Sequence, residues 1–166
     1  MQKMIGAILI LCTCTAMGYE KGKNLKNYLN EVEELRRIFA LFQSELRYTR
    51  APFAEIFLKL SFAATRPFDE WLRWLGEQLE KREGGTMKEV WNDSIDKMLG
   101  ESSLRQEDLK RLQNVGEGLD YLETTELYRE YLERVIEQIR KEYESKRKLY
   151  LSLGISGGVF LVIILI

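Results

Sequence analysis

The sequence predicts an all-α protein: six helices in a bundle-like domain, flanked at each end of the chain by a transmembrane helix. Three observations predict it. Both ends are uncharged, from Met4 to Tyr19 and from Leu149 to Ile166, while nearly all of the 25 basic and 26 acidic residues lie between Glu20 and Lys148. Apolar residues in that middle segment recur at steps of three and four, the spacing of one helix face. No stretch alternates apolar and polar residues as a half-buried strand does.

A helix in hydrocarbon must lack charge on every face, because no water is present to solvate an ion. Leu149–Ile166 spans about 27 Å as a helix, close to the thickness of a bilayer core. Met4–Tyr19 reaches about 24 Å, a marginal span. Lys3, the apolar run and the small residues from Thr13 to Gly18 also fit a cleaved secretory signal, which would leave an extracytoplasmic helical binding module with one tail anchor. The flanks favour the uncleaved anchor. Lys21, Lys23 and Lys26 follow the first apolar stretch, and Lys146, Arg147 and Lys148 precede the second. Positive residues keep to the cytoplasmic side, so both biases place the middle segment in the cytoplasm. The expected organisation is an N-terminal transmembrane anchor over 1–19, a helical cytoplasmic domain over 20–148 and a C-terminal transmembrane anchor over 149–166. In the last of these, Gly154 and Gly158 form a small-xxx-small pair with Gly157 beside them. Missing side chains there let a second helix approach the backbone, so these glycines are the candidate helix-packing residues.

The elements of the middle segment follow in order. Leu25, Tyr28, Val32, Leu35, Phe39, Phe42 and Leu46 form a heptad-like seam, which Leu29, Ile38 and Leu41 widen for packing on several helices. Glu33 and Arg37 sit four apart on the outer face. Pro52 opens a second helix with Phe53, Ile56, Phe57 and Leu60 inward, and Pro67 opens a third with Phe68, Trp71, Leu72, Leu75 and Leu79 inward. Thr86 with Glu89 is a capping box before Val90, Trp91, Ile95 and Met98. Ser103 with Gln106 is a second before Leu109, Leu112 and Val115. Gly116 and Gly118 are expected to loosen the chain. The last helix carries Leu127, Tyr131, Leu132, Val135, Ile139 and Tyr143 inward and runs on toward Lys148.

Composition removes several functions. The net charge is −1, and a near-neutral middle segment is no nucleic-acid binder. There is no histidine, so the commonest general base and the commonest metal ligand are both missing. Cys12 and Cys14 both lie in the first apolar stretch, which leaves the middle without thiol chemistry. Its glycine pairs follow no strand and so form no nucleotide cradle. Its acids are spread over helix exteriors beside basic residues, the pattern of a solvated face. No catalytic set, cofactor, metal site or small-molecule substrate is expected. Trp71 and Trp91 read as core. Trp74 stands beside the Phe68–Trp71–Leu75 stripe and reads as a boundary residue of the core, with a partner-binding anchor as the second reading.

Several tracts carry a family resemblance. They are the apolar start with Lys3, Gly6 and Gly18; Glu45-Leu46-Arg47-Tyr48-Thr49-Arg50-Ala51-Pro52-Phe53; Met87-Lys88-Glu89-Val90-Trp91; and Ser152-Leu153-Gly154-Ile155-Ser156-Gly157-Gly158 before an aliphatic tail. In order and spacing the chain resembles the stage III sporulation protein AB family of endospore-forming bacteria over nearly its whole length. It departs from the family pattern at Val115-Gly116-Glu117-Gly118-Leu119-Asp120-Tyr121-Leu122-Glu123, where a second glycine is replaced by Asp120 and an aspartate by Glu123. The resemblance implies a membrane scaffold in the mother-cell complex that communicates with the forespore. It also implies a soluble domain similar to the cytoplasmic domain of the type II secretion F subunit. The implied partners are other stage III proteins, including a cytoplasmic ATPase, and membrane lipid.

Overall fold

A computed structural model of the chain describes the backbone of residues 2–49, 51–81, 85–119 and 121–165, and the side chains of 23–49, 51–81, 85–119 and 121–146. Among the described residues there are six α-helices and no strand: α1 (Gln2–Tyr48), α2 (Phe53–Ser61), α3 (Phe68–Lys81), α4 (Met87–Met98), α5 (Gln106–Val115) and α6 (Leu122–Leu165). The all-helical expectation therefore holds. The side chains of the two expected anchors, Gly154, Gly157 and Gly158 included, lie outside the described residues. Among those that are described, no helix is long and apolar enough to cross a membrane.

The chain forms two compact units, one from Asn30–Ile136 and one from Met1–Leu29 with Glu137–Ile166. In the second, Tyr28 and Ile139 are buried, and Lys146 pairs with Glu142 one turn away on α6. The first holds the core. The α1 seam enters it as expected, with Val32, Leu35, Ile38, Phe39 and Phe42 all buried. Phe42 stacks on Phe57 of α2 at 5.3 Å between ring centres, and Phe39 meets Tyr128 of α6 edge-on at 4.7 Å. Helix α2 packs on α3, α3 on α4 and α4 on α5.

Two tryptophans occupy the centre. Trp71 and Trp91 meet edge to face at 5.3 Å, a favoured aromatic geometry. Each indole N–H has an acceptor: Trp71 donates to Ser94 Oγ at 2.9 Å, and Trp91 donates to the Leu112 carbonyl at 2.9 Å. Ser94 Oγ in turn donates to the Trp91 carbonyl at 2.6 Å. Ser94 is thus fully buried with both its roles satisfied. The space left among Ile38, Phe42, Trp71 and Trp91 is about 10 Å³, too little for any ligand.

Some local expectations hold and others change. The Thr86–Glu89 capping box forms, with Thr86 N donating to Glu89 at 2.7 Å and Glu89 N to Thr86 Oγ1 at 3.3 Å. The Ser103–Gln106 box does not. Leu104 is buried, which shifts the cap to Arg105, and Asp108 accepts the Arg105 amide at 3.2 Å. The Ser103 amide goes instead to Glu31 of α1 at 2.7 Å. Arg37 pairs with Glu34 at 2.6 Å and donates to the Ala63 carbonyl at 2.6 Å. Leu127 is 59 % exposed, and Tyr128 takes the inward position. Thr125 faces Gln43 at 3.2 Å and sets the phase of α6, so that 125, 128, 132, 135, 136 and 139 point inward and 127 away.

Gly116 and Gly118 are close-packed instead of loosening the chain. No described glycine has a positive φ, so neither is needed for its backbone freedom. A Cβ on Gly116 would lie 2.3 Å from Cδ1 of Trp91, and one on Gly118 would lie 2.6 Å from Oγ1 of Thr124.

Candidate partner surface

Parts of the two middle-segment tracts that carry the resemblance, Pro52-Phe53 and Met87-Lys88, line one groove. Pro52 caps α2 at φ −60°, ψ 150°, the extended conformation its ring favours just before a helix. That delivers Phe53 and Ala54 to the wall of an open groove of about 570 Å³. Leu79 of α3 and Met87 of α4 complete its apolar surface, and Lys88, Gly116 and Glu117 form its polar edge. Lys88 and Glu117 are ion-paired, and hydrogen bonding to that ammonium holds the Glu117 carboxyl below its ordinary range. Both side chains are more than half exposed, so the pair contributes little to stability. Gly116 at this edge packs closely against Trp91, where a Cβ would lie 2.3 Å from Cδ1.

A second polar cluster lies between α5 and α6. Asp108 is 1 % exposed and accepts from the Tyr131 hydroxyl at 2.7 Å. Burial, with that carboxylate beside it, pushes the Tyr131 phenol well above its ordinary range. Arg111 stands 4.5 Å from the centre of the same ring, a cation–π distance. The cluster joins α5 to α6.

Trp74 is half-buried, with Lys97 Nζ 5.6 Å from its ring centre. It lies at the margin of the core, partly covered by the neighbouring helix. The turn from α2 to α3 presents a different aromatic residue. Phe62 is 91 % exposed, the most exposed of the described large apolar side chains. Sequence reading passed over it. Its offset of two residues from Leu60 was the available signal, since that spacing turns a helical side chain away from the core face. The groove also went unread, because its wall joins α2, α3, α4 and the chain after α5. Among the described residues no group of three or more His, Cys, Asp or Glu side chains could hold a metal ion.

The Asn30–Ile136 unit is thus a small all-α domain with a closely packed aromatic core. Residues 3–166 match the family profile described as Stage III sporulation protein AB, and the chain belongs to that family. It is 23 % identical over 174 residues to Stage III sporulation protein AB of Bacillus subtilis (strain 168), covering 99 % of each chain. A solved structure of Stage III sporulation protein AB (SpoIIIAB) shares the fold, with a TM-score of 0.65 at 18 % identity over 71 % of this chain and 97 % of that one.

Proposed function

We propose that the chain is a non-enzymatic platform subunit of the mother-cell-to-forespore channel complex of endospore formation. In this reading it is anchored in the cell membrane by both ends. Residues 20–148 lie on the cytoplasmic, mother-cell side and couple a secretion-type ATPase to the membrane assembly. The observation that carries this is the continuity of the outer helices. α1 and α6 are each one uninterrupted helix that runs from the charged bundle into an uncharged end of the chain. A helix continued from the bundle into a membrane anchor would give the coupling a direct covalent path. Family membership supplies the sporulation setting.

The test is co-purification. The full chain, solubilised in detergent, is expected to bring down the ATPase of the same complex, and deletion in the native host is expected to block spore formation. Normal sporulation after deletion would contradict the reading.

A further inference from the structure

We propose that the two junctions between charged and uncharged chain, residues 20–26 and 142–148, form a basic collar that selects anionic lipid headgroups over zwitterionic ones. The inference rests on the membrane anchoring proposed above and names the lipid class that it favours. Three observations carry it.

The first is where the positive charge lies. At a rise of 1.5 Å per residue, each junction reaches about 10 Å from its uncharged stretch, roughly one screening length in 0.1 M salt. Lys21, Lys23, Lys26, Lys146, Arg147 and Lys148 fall within that reach, against three glutamates, so the junctions together are positive. Residues 27–141 hold 18 basic and 23 acidic residues, an excess of the opposite sign. Attraction to an anionic leaflet fades within about a screening length, so the junction charges are the ones that count.

The second is structural continuity. α1 and α6 each pass through their junction as one helix, and both junctions belong to the compact unit of Met1–Leu29 with Glu137–Ile166. Lys23, Lys26 and Lys146 are exposed, so the core does not consume their charge. Lys146 pairs with Glu142 on its own helix, an exposed pair of small worth that a lipid phosphate can compete with.

The third is the residue type at each edge. Tyr19 ends the first uncharged stretch and Tyr150 is the second residue of the last one. Tyrosine favours the headgroup level, with its ring toward hydrocarbon and its hydroxyl toward water. The basic tracts beside these two residues are thereby set at the depth of the lipid phosphates. A nucleic acid meets a chain whose charge beyond the junctions is negative, which disfavours it as the occupant.

The test reconstitutes the full chain in phosphatidylcholine vesicles and compares trace spin-labelled phosphatidylglycerol with spin-labelled phosphatidylcholine at the protein surface by electron paramagnetic resonance. Phosphatidylglycerol is expected to associate about threefold or more strongly, and the preference should collapse in about 1 M salt. Changing the six junction cations to Gln should abolish it. Changing exposed Arg73, Lys81 and Lys110 to Gln should leave it intact. If the chain resists alkaline extraction but takes both lipids equally, the collar is wrong and the anchoring stands. If alkali strips it from the vesicles, the anchoring is wrong and the collar falls with it. A preference in the parent that persists in high salt would overturn the electrostatic basis whatever the variants do. Competition by glycerol phosphate at matched ionic strength would give the site to a soluble phosphate and overturn the lipid assignment.

Discussion

Gly116 lies so close to Trp91 that a single added methyl would sit 2.3 Å from the indole ring. The same indole donates to the Leu112 carbonyl one turn earlier in α5. Trp91 therefore fixes the end of α5 twice, once by a hydrogen bond and once by shape, and with it the edge of the groove.

Gly116→Ala is expected to destabilise the protein by about 1–3 kcal/mol through overpacking. At a position with negative φ, Gly→Ala ordinarily stabilises by up to about 1 kcal/mol, so the sign of the effect is informative. Urea denaturation followed by tryptophan fluorescence reads it directly. A variant as stable as the parent would show that the ring has room to move.

Ser94→Ala is expected to cost about 1–3 kcal/mol, because it leaves the Trp71 N–H buried without an acceptor. Trp71→Phe removes the donor as well as part of the ring. The double variant should lose less than the sum of the two, since Ser94 matters to Trp71 only while the indole is present. Additive losses in the same denaturation assay would argue against that hydrogen bond.

Glu34 gives stability a defined dependence on pH. Burial opposes its ionisation, but hydrogen bonds from Arg37 and the Thr65 amide outweigh burial and hold the carboxyl below its ordinary value of 4.5. A depressed folded-state pKa contributes stability that is fully present above the unfolded value and is lost as pH falls through the folded one. Glu34→Gln should therefore lower the melting temperature most near neutral pH, with the gap to the parent closing as pH drops below about 4.5. A gap of constant size from pH 7 to pH 3 would mean that the charge of Glu34 does not matter.

In the C-terminal segment, Gly154→Leu and Gly158→Leu are expected to weaken assembly with the complex more than Val159→Leu does, if the glycines form a packing face. A membrane pull-down compares the three. Equal recovery would leave the glycine pair without a role.

Much of the helical architecture was legible because burial in α1 to α5 follows a period that sequence carries. The α1 seam from Val32 to Phe42 and the stripes of Phe57, Trp71 and Trp91 needed only spacing. Errors arose where tertiary contacts choose between neighbours. Leu127 and Tyr128 are both plausible inward residues until Thr125 meets Gln43 and sets the helix phase. Ser103 is a good cap by residue type, but the burial of Leu104 and the pull of Glu31, 72 residues away, move the cap to Arg105. The groove and the presentation of Phe62 depend on which turns come together, and local pattern does not encode that. Gly116 looked like a flexible joint because a glycine's neighbour in space is invisible in the chain.

The central claim is a helical domain tethered twice to one face of a membrane. The most direct measurement is labelling of single cysteines by a membrane-impermeant maleimide, at exposed Lys110 and at Ile166, with Cys12 and Cys14 replaced. The account predicts that Lys110→Cys in intact cells is protected until the membrane is permeabilised, while Ile166→Cys reacts from outside. Labelling of Lys110→Cys in intact cells would contradict it.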